Sequence, residues 1–456
     1  MKKTSLSGRC PTVTLLIRTP GGLVPLNAQS YNLPLPRNPA FDGPRMTYGP
    51  YLQAVAGYFM NNSRRNLKRL LRAITTASGS IPDVSPEPTA ITITSEKHGA
   101  LYNVSSMTIH FQESPDKDFG TMESMGGAAG PGGRKRHTEK CATPEWAAGQ
   151  DRIEPDINLT SEDHVLTFAI NAAILPEQRA FLAVEQRLLR SLFTRFPSSV
   201  AGIPRPLLSG SIRLKNGQTD SPLDLFVAEW FRDHHEFHLC ARAHGSHDAP
   251  LRLHVWKPGQ NDLYLDNTRI RELYRGAALI LTFYLDTHSF RQIYPWHHAA
   301  GDFIVDESVT PVSVKLVTAR GYRSLLPGKS NAGDKMLGAL HFFVNLTIRM
   351  RIDRVEGTGD LAWAGPAAFY GIIRGFAEAW ENKERENPEV PGAREIFSFY
   401  LGLSPEERLA FAEIAALNGQ VETDETEFLA TRLTEHVRHL SAALHEFLGE
   451  SSGQAE

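Results

Sequence analysis

Asp302 is the residue whose type and surroundings are best suited to acid–base chemistry. It follows Gly301 directly, and His297 and His298 stand a few positions before it. Small residues in such a loop let the backbone pack tightly and leave a carboxylate projecting, the geometry that a general base needs to reach a substrate hydroxyl. The alternative is a turn aspartate that caps local amide groups. The sequence therefore predicts either a catalytic base or a turn cap at Asp302.

Histidine and acidic side chains cluster a second time in residues 233–238. Zinc proteases use His-Glu-x-x-His, in which the glutamate directly follows the first of two histidines that lie four apart on a helix. His234 and His238 have that separation, but Glu236 is the second residue after His234, so the motif is not met. We expect hydrogen-bonded structural histidines here. A metal enzyme would require them to converge with the histidines beside Asp302.

Three arginines surround an aspartate further along the chain. Arg349 and Asp353 have the four-residue separation of a helical ion pair, with Arg351 and Arg354 on either side of the aspartate. The pattern favours a buried ion-pair network or a solvated charged face, and phosphate recognition is the alternative.

Composition limits the class of protein. A chain of 456 residues allows two or three domains at roughly 150 residues each. A formal charge of −3, from 48 basic and 51 acidic side chains, gives no basic excess for nucleic-acid binding. Three scattered cysteines are too few for a disulfide framework and suit a reducing cytoplasm. We also expect no secretory signal and no membrane span, because no apolar run approaches the roughly 18 residues that a span needs.

Hydrophobic periodicity changes along the chain from strand-like to helical. β-branched and apolar runs predict strands at 90–94, 102–111, 164–174, 203–208, 223–230 and 312–318, the first two joined as a hairpin. Helical spacing predicts helices at 51–77, 177–193, 266–293, 405–418 and 424–448, in a chain that reads as all helix from 334 onward. Ser404, Pro405 and Glu407 form a capping-box start, and Asn418-Gly419 is the matching stop. Residues 1–50 read as an irregular leader with one strand at 12–17.

The order of these elements resembles the protein-kinase-like fold. It runs hairpin, strand, helix with Glu185, two strands, long helix, histidine-plus-Gly-Asp loop, strand and helices. The closest likeness is to the small-molecule phosphotransferase branch typified by aminoglycoside and choline kinases, over roughly residues 88–450. The resemblance implies an α+β, two-lobed architecture, with a small antiparallel-sheet lobe, a mainly helical lobe and an irregular N-terminal extension.

Domain limits follow from that resemblance. They are 1–87 for an extension with one basic amphipathic helix, 88–232 for a β-rich nucleotide lobe, and 233–456 for the helical catalytic and substrate lobe. Residues 114–150, rich in glycine and poor in apolar side chains, are expected to be a mobile insertion in the nucleotide lobe.

The resemblance also implies roles for individual residues. ATP would lie under a loop at 95–100, Glu185 would organise the small lobe, and Mg²⁺ would be held near Asp302. Asp302 would be the base in a stretched form of the family's His-Gly-Asp motif. The implied set is Asp302 and His298 for catalysis, Lys97, His98, Gly99, Glu185, Glu229, Trp230 and Phe231 for nucleotide binding, and Glu307 or Asp306 for the metal.

The sequence departs from the family pattern at several of these positions. The loop at 95–100 has one glycine where kinases have three, and the strand 168–171 has no lysine. Glu307 stands where the family has an asparagine, and the strand at 312–318 lacks the magnesium-binding aspartate. Two functions follow: a divergent ATP-dependent phosphotransferase acting on an unknown small-molecule or protein acceptor, or a catalytically inactive pseudokinase that binds partners as a scaffold. A histidine-rich metal-dependent enzyme is the third possibility.

Overall fold

The structure is a computed structural model of the chain. It describes residues 11–19, 22–35, 46–78, 88–98, 103–111, 165–196, 202–216, 219–240, 251–257, 263–296, 299–326, 332–419 and 424–450. The predicted insertion at 114–150 lies outside these residues, as do His297, His298 and Gly99.

The strands are numbered in chain order. They are β1 (Thr12–Thr19), β2 (Gly22–Pro25), β3 (Pro88–His98), β4 (Asn103–Phe111), β5 (Val165–Ala173), β6 (Pro206–Asn216), β7 (Thr219–Glu229), β8 (Phe237–Cys240), β9 (Arg252–Val255), β10 (Leu263–Tyr264), β11 (Arg291–Ile293), β12 (Phe303–Asp306), β13 (Ser313–Leu316), β14 (Tyr322–Ser324), β15 (Ile352–Arg354) and β16 (Leu361–Trp363).

The helices are numbered in the same way. They are α1 (Ala28–Tyr31), α2 (Tyr48–Ser78), α3 (Pro176–Arg195), α4 (Asn267–Phe283), α5 (Ala299–Asp302), α6 (Ala332–Arg349), α7 (Ala367–Glu386), α8 (Ala393–Gly402), α9 (Pro405–Asn418), α10 (Glu425–Ala430) and α11 (Leu433–Glu450). The fold is α+β, as predicted, and none of the described helices is long and apolar enough to cross a membrane.

A seven-stranded sheet forms the first half of the chain, in the order β2-β1-β3-β4-β5-β7-β6. The strands from β3 to β7 pair antiparallel, as predicted from the hairpin signals. The sheet as a whole is mixed, because β1, which was not predicted to join it, pairs parallel with β3. A parallel neighbour needs a long crossover, and α2 supplies it between the two strands. Residues 12–25, expected in an irregular leader, therefore extend this sheet.

Two hydrophobic cores lie on opposite faces of the sheet. On one face, α2 covers the alternate apolar residues of the strands, such as Leu166, Phe168 and Ile170 of β5. On the other face, α3 buries Leu182 and Leu189 in a larger core that continues through the helical half of the chain. Beside α3, no described helix packs on this second face over β3 and β4.

Helices α4 and α7 pack unusually closely. Gly371 and Gly375 lie one turn apart on α7, and a Cβ added to either would stand 2.3 Å from the carbonyl oxygen of Arg271 or 2.1 Å from that of Arg275. Glycine is therefore required for the two backbones to approach this far.

Several element boundaries differ from the sequence predictions. Helix α4 ends at Phe283, ten residues before the predicted end, because the carboxylate of Asp286 accepts hydrogen bonds from His288 and Ser289 and holds a turn. The helical second half is interrupted by the small hairpin of β15 and β16. The predicted capping box of α9 is confirmed, with Ser404 and Glu407 each bonded to the other's backbone amide.

Candidate functional site

Asp302 forms a bidentate ion pair with Arg320. Its Oδ2 accepts from Nη1 at 2.8 Å, and its Oδ1 lies 2.7 Å from Nη2. Asp302 is only 3% exposed, and the Arg320 side chain 21%. Gly301 has φ +83°, a left-handed conformation that allows α5 to lead straight into β12. Asp302 is thus the last residue of α5 rather than a loop residue, and its carboxylate is buried against a guanidinium rather than projecting.

Glu185 contacts the chain segment that contains Arg320. This buried carboxylate of α3 accepts a hydrogen bond from the backbone amide of Ala319 at 2.8 Å. Ala319 directly precedes Arg320, so α3 and the Asp302 loop are both tied to the stretch that follows β13. Two of the predicted site residues, Glu185 and Asp302, are brought together through this stretch.

The predicted hinge residues lie beside Lys315 of β13. Burial raises the pKa of Glu229 and lowers the pKa of Lys315, and the charge of each group opposes the shift of the other. The Lys315 ammonium lies 5.2 Å from the centre of the Phe231 ring. Lys315 of β13 therefore lies beside two of the predicted nucleotide-binding residues, whereas β5 carries no lysine.

The two predicted metal ligands have other partners. Glu307 forms an ion pair with Lys257 through Oε1, while its buried Oε2 has no hydrogen-bond partner among the described residues. Asp306 accepts through Oδ1 from the amide of Ser308 at 2.9 Å and from its hydroxyl at 2.5 Å. Within the described parts of the chain, no group of three or more histidine, cysteine or acidic residues could hold a metal ion.

The histidines of residues 233–238 face different partners. His234 Nδ1 donates to the Arg232 carbonyl oxygen at 2.7 Å, so its Nε2 accepts from the Ser313 hydroxyl at 3.0 Å, and burial lowers its pKa. His238 packs against Trp256, with ring centres 4.5 Å apart. The backbone of His235 is bridged to β12. These contacts agree with the structural interpretation of this cluster.

The segment predicted to cover phosphates is largely strand. β3 continues to His98, and its residues Lys97 and His98 pair with Val104 and Asn103 of β4. The prediction of a loop from residue 95 is therefore wrong for 95–98. The sequence signal was the single glycine at 99, but hairpin pairing with β4 extends almost up to it.

The Arg349 ion pair also differs from its prediction. Helix α6 ends at Arg349, so Asp353 falls in β15 and the expected helical pair does not form. Arg349 instead pairs with Glu425 at 2.5 Å, and both side chains are fully buried. Asp353 accepts from the backbone amide of Leu239 at 2.7 Å.

A cavity of about 340 Å³ opens on the uncovered face of the sheet. We call it the sheet-face cavity. Hydroxyl groups form its floor, and the Arg18–Glu96 ion pair lies at its rim. Trp230 lines the side next to the predicted hinge residues. The hydroxyl floor consists of Thr92, Thr94, Ser106, Thr108 and Thr167.

Sequence reasoning did not single out this cavity, although a signal was present. In β3, Thr92 and Thr94 alternate with the buried Ile91 and Ile93. That alternation indicates one polar face, but it is also the ordinary pattern of a strand with one face in water. Only the folded sheet shows that the polar rows of neighbouring strands form one concave surface.

Comparison of the chain with family models and with curated proteins gives no match. The function must therefore be argued from the geometry alone.

Proposed function

We propose that this protein is a kinase-like scaffold that binds a nucleotide in the sheet-face cavity and does not transfer its phosphate. The observation that carries the proposal is the bidentate Asp302–Arg320 ion pair. A general base must be free to accept a proton from its substrate. Both oxygens of Asp302 that could accept that proton already contact the Arg320 guanidinium, and the carboxylate is buried.

The sheet-face cavity suits a polar ligand with a flat ring. Its volume of about 340 Å³ is at the lower end of the range for small-molecule sites. Trp230 offers an aromatic face at one side, and the hydroxyl floor can both donate and accept hydrogen bonds. A nucleoside has complementary features, with a base that can stack and a ribose that can bond to hydroxyls.

Thermal-shift titration tests the binding part of the proposal. A ligand that binds only the folded state raises Tm once its concentration exceeds Kd. We expect ATP and adenosine to raise Tm without any requirement for Mg²⁺. Trp230→Ala should abolish the shift, and the matched variant Trp256→Ala, at a tryptophan outside the cavity, should keep it. A flat response to both ligands in the native protein would contradict nucleotide binding.

An active phosphotransferase is the second candidate, and one observation favours it. The hydrogen bond from Ala319 to Glu185 ties α3 to the residue that precedes Arg320, so the predicted helix glutamate and the predicted base contact one short segment. In this case Asp302 would be the base after release from Arg320, and Mg²⁺ would accompany ATP. The chain's own carboxylates near that loop, Asp306 and Glu307, would be the metal ligands to vary.

Turnover separates the two candidates. The scaffold predicts no release of phosphate or ADP from ATP with Mg²⁺, in the native protein or in Asp302→Asn. The phosphotransferase predicts slow turnover in the native protein, lost by about 10²–10⁴-fold in Asp302→Asn, with binding of ATP retained. Magnesium-dependent turnover with that loss would overturn the scaffold proposal.

A further inference from the structure

A second cavity lies in the helical half of the molecule, between β16, the start of α7 and α11. Its volume is about 210 Å³, well above the roughly 15 Å³ needed for one water molecule. Cationic and imidazole side chains dominate its lining, which includes Arg351, Arg432, His436 and His439, with Trp363 beside them. We call it the cationic cavity. It does not share a residue with the sheet-face cavity.

Arg351 is fixed in place by neutral groups. Its guanidinium lies 4.7 Å from the centre of the Trp363 ring and 4.1 Å from that of Phe369. Nε and Nη2 donate to the carbonyl oxygen of Ala364 at 2.9 and 2.8 Å. No carboxylate of the described residues forms an ion pair with it. Burial lowers the pKa of Arg351 to about 9, and the charges of Tyr274 and Glu435 oppose this shift. Glu435 thus acts on the guanidinium only from beyond ion-pair distance, and the charge of this buried arginine is incompletely balanced within the described chain.

His436 is neutral, so it does not offset the charge of Arg351. The hydroxyl of Thr347 donates to the Val344 carbonyl oxygen, so His436 Nε2 must donate to Thr347 Oγ1 at 3.1 Å. Its Nδ1 then accepts from Arg351 Nη1 at 3.1 Å. Burial lowers the pKa of His436 well below its usual value, in agreement with this tautomer.

Two further donors border the cavity. Arg432 is exposed, rests on the Phe428 ring with its guanidinium 4.8 Å from the ring centre, and forms no ion pair with a described residue. The indole Nε1 of Trp363 is buried and donates to no acceptor among the described residues. Glu435 is the one acidic residue of the lining, and it lies 3.7 Å from His439, with its side chain 63% exposed.

We propose that the cationic cavity binds a small organic anion through a carboxylate or phosphoryl group. The oxyanion balances the charge of Arg351, and Arg432 reaches it from the solvent side. The indole of Trp363, which packs against Arg351, Phe428 and His436, supplies its N–H as a donor. Charge-assisted hydrogen bonds of this kind are the strong ones, and arginine is suited to both carboxylate and phosphate geometry.

Binding of inorganic phosphate and of malonate distinguishes the two forms of the anion. Each is titrated against the full-length protein at pH 7.5, with sodium chloride of equal ionic strength as the reference. We expect at least one of the two to raise Tm with a saturable dependence that chloride does not reproduce. The tighter of the two identifies the group as phosphoryl or carboxylate.

Variants assign the binding to this cavity. Arg432→Gln removes an exposed charge without opening the core, and we expect it to raise Kd by about fivefold or more. Trp363→Phe keeps the ring against Arg351 but removes the N–H, and should raise Kd by about threefold. Arg374→Gln is the matched control, an exposed arginine of α7 outside the lining, and should leave Kd unchanged.

Two results would overturn the proposal. One is the absence of a saturable shift with both anions in the native protein. The other is a shift that is equal in Arg432→Gln and Arg374→Gln, which would show general charge screening rather than a site. Failure here leaves the scaffold proposal intact, because ATP binding in the other cavity is measured by Trp230→Ala.

Discussion

Two arginine–carboxylate pairs lie in different surroundings. One is Arg349–Glu425, in the interior of the helical part of the chain. The other is Arg320–Asp302, which we call the junction pair because it lies where the end of α5 meets the segment after β13. Arg349 and Glu425 are fully buried, whereas Arg320 keeps about a fifth of its side chain in contact with solvent beside a buried Asp302. Among the described residues, the first pair is closed to solvent on all sides, whereas one partner of the second pair is reached by water. Residue type alone therefore does not distinguish a structural pair from one that a ligand could rearrange.

The largest effect should come from breaking the interior pair. Glu425→Gln leaves the Arg349 charge buried without its partner, which typically costs about 3–5 kcal/mol of unfolding free energy. Urea unfolding measures the loss. Asp424→Asn, next in the chain, removes the exposed partner of Arg354 and should cost less than about 1 kcal/mol. Equal losses of unfolding free energy in the two variants would contradict the expected difference between interior and surface pairs.

The second-largest effect is expected from acid, which should lower the unfolding free energy through the buried His341 of α6. Burial lowers the pKa of His341 to about 4, from 6.5 in the unfolded chain, and its Nε2 accepts from the Asn418 amide at 3.2 Å. Below pH 6.5 the unfolded state binds a proton that the folded state does not, so stability is full above pH 6.5 and falls toward pH 4. The loss reaches about 3 kcal/mol at pH 4.

The histidine contribution can be isolated by mutation. His341→Gln should flatten the slope of unfolding free energy against pH between 6.5 and 4, with His436 still contributing its part. His288→Gln, the same substitution at a side chain that is 74% exposed, is the matched surface control. The same slope in His341→Gln as in the native protein would contradict a buried neutral imidazole at this position.

Breaking the junction pair should have a smaller effect. Arg320→Gln and Asp302→Asn should each lower the unfolding free energy by about 2 kcal/mol, because each removes charge-assisted hydrogen bonds from a partly solvated pair. The double variant should cost less than the sum, and the difference measures the coupling between the two side chains. Full additivity would show that the pair contributes no interaction of its own.

The smallest effect is expected at the rim of the sheet-face cavity. Arg18 is 37% exposed and pairs with Glu96, which also accepts from the Ser106 hydroxyl at 2.6 Å. Arg18→Gln should change the unfolding free energy by less than about 1 kcal/mol, as for other exposed pairs. A loss as large as that of Arg320→Gln would show that this rim is part of the folded framework.

Features that depend on neighbouring residues were predicted well from the sequence. Contacts between residues distant in the chain were not. Ser404 with Glu407 marks the start of α9, because a capping box depends on residues only three positions apart. The parallel pairing of β1 with β3 joins Thr12 to Ala90, and no local pattern specifies it.

The candidate site shows the same division. Asp302 is predicted from its local setting, and Glu185 from the resemblance in element order. Arg320, which pairs with Asp302, lies 18 residues later in the chain, and no local pattern specifies that pairing. The expected end of α4 was wrong because apolar spacing continues past Asp286, whose side chain stops the helix through tertiary and turn contacts.

The glycine pair of α7 offers a way to recognise evolutionary relatives. Alanine is normally favoured over glycine inside a helix by about 1 kcal/mol, so drift alone would replace both residues. At 371 and 375 even a methyl group would collide with the backbone of α4. Any homologue that keeps this helix crossing must therefore keep Gly-x-x-x-Gly here, a fingerprint that can persist after the rest of the sequence has diverged.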